Sequence, residues 1–106
     1  MFFELRQYTI RPGTQAAFVE LMEEKIIPFQ IAQGMTILGS FVGETDETTF
    51  VWIRRFASEE ARAEQYKRVY ESDYWRDEIS PPVLEMLVRE EIKVTRLVAT
   101  PRSVIQ

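Results

Sequence analysis

The chain has 106 residues and a net charge of −4, from 13 Lys and Arg against 17 Asp and Glu. This acidic balance argues against nucleic acid and anionic membrane surfaces as partners, since both select basic proteins. The absence of Cys and His excludes disulfides, thiol nucleophiles, a Ser-His-Asp triad and the usual zinc sites. With no apolar run of spanning length and no secretory signal, we expect one cytoplasmic domain over residues 1–106.

The first third of the chain predicts a strand and then a helix. Residues 2–10 alternate with period two, and the following "RPGT" offers a Pro-Gly turn with Thr14 as helix N-cap. Apolar residues then recur at helical spacing, and Gly34 is placed to end the helix. Pro28 falls inside this pattern, so we expect a kink or interruption near Ile27.

The rest of the chain predicts a hairpin, a second helix and a last strand. "MTILGSFVGE" and "TFVWIRRF" are strand-like and are joined by a polar turn. Ser58 before two glutamates begins a helix to about Tyr70, and a short further helix should end at Pro81 and Pro82. "REEIKVTRLV" alternates as strand four, and residues from about 99–106 form an exposed or partner-clasping tail.

The order β-α-β-β-α-β predicts an α+β, ferredoxin-like fold, an antiparallel sheet with both helices on one face. The first strand nevertheless has apolar residues on both sides, with Phe3 and Leu5 on one and Phe2, Tyr8 and Ile10 on the other. A sheet that is apolar on both faces needs a second cover. We therefore expect a homodimer through the sheet face, which makes a dimeric α+β barrel.

The segments "FELRQYTIRPGT", "GMTILGSF", "TTFVWIRRFASEEAR" and "VYESDYW" resemble the NIPSNAP family in order and spacing. The resemblance implies a dimeric α+β barrel and carries no settled reaction. Many family members have a His-Leu-Trp pattern in the third strand, whereas this chain has Trp52, Ile53 and Arg54. A role that rests on that histidine therefore does not transfer to this chain.

Glu4, Arg6 and Tyr8 are the first candidate site, because residues two apart on a strand share a face and lie roughly 6 to 7 Å apart. As catalytic residues, Arg6 would hold a carboxylate or enolate, Tyr8 would donate a hydrogen bond or proton, and Glu4 would orient Arg6 or act as a base. The structural alternative, which we weigh more heavily, is an ion-pair network with Arg54, Glu91 or Lys93.

A second candidate site is an aromatic pocket between the sheet and the second helix. Aromatic walls with few polar groups suit a flat organic ligand, and the alternative is ordinary core packing. The predicted ligand-binding residues are Trp52, Arg54, Tyr66, Tyr70 and Trp75. The acidic clusters on the helices fit solvated faces better than a metal site, so we expect no metal and no bound cofactor.

Two functions agree with these observations. One is a small cofactor-free enzyme of monooxygenase or isomerase type that acts on an apolar carbonyl or aromatic compound. The other is a non-enzymatic homodimer that binds a small molecule or a protein segment. Burial of Glu4, Arg6 and Tyr8 in the dimer interface without any cavity would count against the enzyme. A strained or strongly shifted Glu4 or Tyr8 would count against the binding module.

Overall fold

The computed structural model describes residues 1–106 and has the predicted α+β, ferredoxin-like fold. Two helical segments alternate with strands and pack against one face of a four-stranded antiparallel sheet. The strands are β1 (Phe2–Thr9), β2 (Thr36–Val42), β3 (Thr49–Phe56) and β4 (Lys93–Leu97). The helices are α1 (Gln15–Leu21), α2 (Ile27–Ala32), α3 (Glu59–Tyr70) and α4 (Ser80–Met86).

The sheet order β2-β3-β1-β4 places β1 and β3 in the centre. Glu4 lies opposite Arg54 and Arg6 lies opposite Trp52, so these four side chains project from one face towards the helices. The residues between these positions on both strands, such as Leu5 and its partner Ile53, project from the face that no helix covers. The register therefore places the charged side chains Glu4, Arg6 and Arg54 under the helices and leaves apolar side chains such as Leu5 on the open face.

Two π-helical turns interrupt the helices, and each ends two residues before a proline. Met22–Ile26 joins α1 to α2, whose second residue is Pro28, and Trp75–Ile79 precedes α4. A proline ring clashes with the carbonyl four residues earlier in an α-helix, and the wider turn gives that ring room. The interruption predicted near Ile27 agrees with the first turn.

Several predicted boundaries need correction. Pro81 and Pro82 do not end a helix but lie in the first turn of α4, where no intrahelical N–H is required. Thr14 does not cap α1, because its hydroxyl donates instead to the carbonyl of Arg11 at 2.7 Å. The first residues of the predicted fourth strand form a 3₁₀ turn, Arg89–Glu91. Ser58 does cap α3, with Oγ 3.0 Å from the amide nitrogen of Ala61.

A band of buried polar residues separates the core into two apolar clusters. The larger cluster includes Tyr8 and Trp52, and the smaller one includes Phe2 and Phe56. Between them on β1 and β3 lie polar positions, and Glu4, Arg54 and Gln30 are each 0% exposed. This arrangement explains why β1 alternates like a buried strand yet carries charge in its middle. None of the helices has the length and apolar content needed to cross a membrane.

Candidate functional site

The centre of the polar band is the Glu4 carboxylate. One oxygen accepts hydrogen bonds from Arg54 Nη2 at 2.9 Å and from the Tyr66 hydroxyl at 2.6 Å. The other oxygen accepts from Arg62 Nε at 2.5 Å. Burial opposes ionisation, but the hydrogen bonds from Tyr66 and Arg62 and the charge of Arg54 outweigh it, so the pKa of Glu4 is lowered. Glu4 is therefore ionised, and both of its oxygens already accept hydrogen bonds within the protein.

Arg54 connects this carboxylate to the helices. Its Nη1 donates to Gln30 Oε1 at 2.9 Å and to the Tyr70 hydroxyl at 3.0 Å. Its guanidinium carbon lies 4.6 Å from the Trp52 ring centroid, a cation–π contact. Burial disfavours the charge of Arg54, but the neighbouring phenol oxygens of Tyr70 and Tyr66 outweigh that effect and raise its pKa. Arg54 therefore stays charged and fixes the positions of the aromatic side chains around it.

A cavity of about 200 Å³ lies beside this network, between the sheet and the helices. Its wall is mainly apolar, and the exposed Leu84 and Arg89 among the lining residues indicate where it opens to solvent. Drug-sized ligands usually occupy roughly 300 to 1,000 Å³, so this space suits a smaller compound of one or two rings.

The structure divides the predicted site residues between the cavity and the network behind it. Five of them line the cavity: Arg6, Tyr8, Trp52, Tyr70 and Trp75. The remaining three, Glu4, Arg54 and Tyr66, do not line it and belong to the hydrogen-bonded network. Of the three network partners that the structural alternative named, Arg54 pairs with Glu4, whereas Glu91 and Lys93 form no ion pair with these residues.

Sequence reasoning missed residues on both sides of this division. Arg62 pairs with Glu4, and Gln30 accepts from Arg54. The sequence does contain a signal for Arg62, because it lies four residues before Tyr66 and eight before Tyr70. This spacing places the three side chains on one face of α3. Gln30 has no comparable signal. The missed apolar lining residues come mainly from α1, the first π turn and α4, and they include Phe18, Met22 and Val83.

Arg6 is the charged group at the inner wall of the cavity. Its Nε donates to the Tyr8 hydroxyl at 3.0 Å and its Nη1 to the Tyr66 hydroxyl at 3.4 Å, while its nearest carboxylate oxygen, on Glu4, is 3.8 Å away. Burial alone would lower the pKa of Arg6, but the oxygens of Tyr8 and Tyr66 raise it. Burial also raises the pKa of Tyr8, which keeps that phenol neutral at ordinary pH.

Two donors on residues of this wall, Tyr8 and Trp52, have no acceptor within the protein. Tyr8 uses its oxygen to accept from Arg6, and its own hydroxyl hydrogen has no partner. The indole Nε1 of Trp52 is buried and makes no hydrogen bond. Tyr8 and Trp52 lie next to each other, with ring centroids 6.3 Å apart. The wall can therefore bind an oxygen-rich group, since buried donors without partners are costly.

These features define a small α+β protein of ferredoxin-like fold with a ligand-sized cavity between its sheet and helices. The NIPSNAP family model matches residues 3–102, and the chain belongs to the NIPSNAP family. This membership confirms the resemblance found in the sequence. No group of three or more acidic residues is placed to hold a metal ion.

Solved structures show the same fold in related and in distant proteins. A NIPSNAP family protein of Agrobacterium tumefaciens is 24% identical with a TM-score of 0.86, over 99% of this chain and 98% of that one. A second, of unknown function from the same organism, is 23% identical with a TM-score of 0.88, over 100% and 94%. A putative antibiotic biosynthesis monooxygenase of Nitrosomonas europaea is 14% identical with a TM-score of 0.69, over 93% and 98%. No curated protein is significantly similar to this chain.

Proposed function

We propose that this protein binds a small apolar carbonyl or aromatic compound in the cavity and acts on it without a bound cofactor, as a monooxygenase-like or isomerase-like enzyme. The observation that carries this proposal is the position of Arg6 and Tyr8, two hydrogen-bond donors, on the wall of a mainly apolar cavity of about 200 Å³. The fold that the chain shares with a putative antibiotic biosynthesis monooxygenase supports the reaction class by analogy.

The chemistry that fits these residues is enolate stabilisation. A C–H bond next to a carbonyl breaks and its electron pair forms a carbon–carbon double bond, while the π pair of the carbonyl moves to oxygen and the proton passes to water. The Arg6 guanidinium and the Tyr8 hydroxyl would stabilise the charge on that oxygen inside an apolar space, where hydrogen bonds to an anion are strong. Reprotonation at another carbon gives an isomer, and reaction of the carbanion with molecular oxygen gives an oxygenated product.

Glu4 fits a positioning role better than the role of a base. Its two oxygens accept from Arg54, Tyr66 and Arg62, and its pKa is lowered, so it binds a proton weakly. Glu4 also lies within 3.8 Å of Arg6 and so helps to fix the guanidinium at the wall. Arg54 and Tyr66 act with it behind the cavity.

The composition of the cavity lining favours a second candidate, a binding protein without catalysis. The residues that line the cavity include no Asp or Glu, and Tyr8 stays protonated at ordinary pH. A site with donors and no base can hold an anion or a carbonyl compound without transforming it. The two candidates separate on whether the bound compound exchanges its acidic hydrogen.

In both candidate functions, we expect the protein to form a homodimer through the open sheet face. This face carries Leu5, Val51 and Ile53 in its centre, with the exposed Phe41 and Leu97 at its edges. The chain is apolar there but has no helix to cover it, and a second copy offers a matching surface. Residues from the tail also reach this face, where Arg55 Nη1 donates to the backbone oxygen of Gln106 at 2.6 Å. The cytoplasmic location stays a prediction.

Native mass spectrometry of freshly purified protein is the first test, because it preserves both the oligomer and a co-purified molecule. We expect a dimer with added mass, and we expect Arg6→Ala and the cavity-filling Val83→Phe to lose that mass. Arg11→Ala, an exposed arginine that does not line the cavity, is the matched control. A monomer would refute the sheet-face dimer.

The reaction is tested with 2-tetralone, an apolar ketone with acidic hydrogens, in deuterated buffer. We expect the protein to accelerate exchange at the carbon beside the carbonyl and Arg6→Ala to abolish the acceleration. Binding without accelerated exchange would select the non-enzymatic candidate. Failure of 2-tetralone and of any co-purified compound to bind would overturn the cavity as a site.

A further inference from the structure

We infer that the compound held in this cavity is an anion, a small apolar carboxylic acid whose carboxylate oxygens bind Arg6, the Tyr8 hydroxyl and the Trp52 indole N–H. This inference rests on the proposed function and deepens it, because it assigns the charge and chemical class of the occupant of the same site. An apolar 2-oxo acid has its enolisable carbonyl on the carbon next to the carboxylate, so both groups would lie against the same donors of the wall.

The balance of donors and acceptors supports an anion. Trp52 Nε1 is buried without a partner, and the Tyr8 hydroxyl hydrogen is free. Arg6 lies directly opposite Trp52 in the register of β1 and β3, and its guanidinium carbon is 5.7 Å from the Tyr8 ring centroid. The side chains that carry the three donors are thus neighbours on the cavity wall. A carboxylate supplies two oxygens with several lone pairs and donates nothing in return, which suits a wall made of donors.

The balance of charge gives the same answer. Arg6 and Arg89 line the cavity, and no acidic residue does. Glu4 lies 3.8 Å from Arg6, but its carboxylate is already shared with Arg54, Arg62 and Tyr66 at shorter distances, and it does not line the cavity. Arg6 is therefore a charge with an 18% exposed side chain and phenol oxygens as its close partners. A bound anion compensates such a charge far better than a neutral ligand does.

The rest of the wall limits the anion to a compound with an apolar body. Most of the other lining residues, such as Phe18, Met22 and Val83, offer no polar group. The volume of about 200 Å³ accommodates one or two rings. A phosphate dianion needs more donors around its three oxygens than one guanidinium and two neutral groups supply, whereas a monocarboxylate matches them.

Isothermal titration calorimetry with 2-naphthoate and 2-naphthamide tests the inference, because the two probes share a shape and differ in charge. We expect the dissociation constant of the acid to be lower than that of the amide by at least about tenfold. Arg6→Gln should remove this preference while the affinity for the amide changes little. Arg6→Lys should keep part of the preference for the acid, since lysine keeps the positive charge but lacks the planar guanidinium that donates two parallel hydrogen bonds. Arg11→Gln carries the same charge change away from the cavity and should keep the whole preference.

Each outcome decides a separate point. Equal affinity for acid and amide in the unmodified protein would overturn the anion and leave the proposed cavity in place. No binding of either probe up to about 1 mM, a weak limit for any specific site, would overturn both. A preference that survives in Arg6→Gln would remove Arg6 from the site. If thermal melting shows Arg6→Gln unfolded, Arg6→Lys and Trp52→Phe carry the test, and a full preference in both would overturn the assignment.

Discussion

Glu4 and Arg54 occupy directly opposed positions on the two central strands, and their side chains meet at 2.9 Å with no exposed surface on either. The pair is the centre of the polar band that divides the core. Ion pairs in such surroundings contribute little net stability relative to apolar residues, but removing one partner leaves an uncompensated buried charge. The pair therefore fixes the positions of Tyr66, Tyr70 and Arg6 more than it strengthens the fold.

Replacing Glu4 by Gln should be strongly destabilising. The neutral amide leaves Arg54 buried without a counter-charge, so we expect the free energy of unfolding to fall by about 3 kcal/mol. Urea denaturation measures this change. Glu64→Gln breaks an exposed pair with Arg68 on α3 and should have a much smaller effect.

The double variant Glu4→Gln with Arg54→Met refines this prediction. Because both charges are then removed, we expect it to lose less free energy of unfolding than the sum of the two single variants. Strict additivity, or a Glu4→Gln protein as stable as the Glu64→Gln control, would show that the two side chains are not energetically coupled.

The sequence predicted the framework of this site better than its contents. The alternation of β1 and β3 and the Ser58 cap follow from local chemistry, which the sequence displays directly. The two π turns depend on how a helix accommodates a proline ring within a packed core, and Pro28 alone does not reveal that accommodation. The partner of Gln30 comes from a strand that is remote in sequence, so no spacing rule predicts it.

The division of the predicted residues also has a physical origin. Glu4, Arg6 and Tyr8 share a face of β1, but only the last two line the cavity. Arg62 and Tyr66 from α3 bind the Glu4 carboxylate and occupy the space in front of it. A strand pattern gives the face on which a side chain lies, whereas the helix packed above it decides whether that side chain reaches a cavity.

Stability should depend on pH through Glu4. Its pKa is lowered in the folded protein from a usual value of 4.5, so the folded state binds this proton less tightly than the unfolded state. The resulting stabilisation is present above pH 4.5 and is lost as the pH falls below that value towards the lowered pKa. Urea denaturation at a series of acidic pH values should show the difference between the unmodified protein and Glu4→Gln becoming smaller.

Parallel curves for these two proteins across the acidic range would contradict the lowered pKa of Glu4. The Glu64→Gln protein is the reference for acid effects that arise elsewhere, and its curve should follow that of the unmodified protein.

The buried phenols should ionise late in alkaline titration. Burial and the hydrogen bond donated to Glu4 raise the pKa of Tyr66 to about 12, although the charge of Arg54 opposes this shift. Its neutral form therefore stabilises the fold below its usual pKa of 10.0, and this contribution is lost as the pH rises from there towards 12. Tyrosinate absorbance should show a late component, and Tyr66→Phe should reduce it.

Ionisation of all four tyrosines together at the value of an unfolded chain would contradict this prediction. Tyr8, whose pKa is also raised by burial, should keep part of the late component in Tyr66→Phe.

The open sheet face supplies the last prediction, a test of the proposed dimer. Phe41 is 56% exposed on this face, at a position paired with Val51. Because its side chain is largely free within one chain, Phe41→Glu should leave the monomer folded but place a charge in the dimer interface. We expect the dimer dissociation constant to rise by at least about tenfold in analytical ultracentrifugation.

Ile31→Glu is the matched control, since Ile31 is 53% exposed on α2, which packs on the opposite face. This variant should dimerise like the unmodified protein, because its new charge lies away from the proposed interface. If Phe41→Glu stays as dimeric as Ile31→Glu, the open face is not the dimer interface. If Ile31→Glu dissociates instead, the two copies meet through their helices, and the mouth of the cavity would then lie near the partner chain.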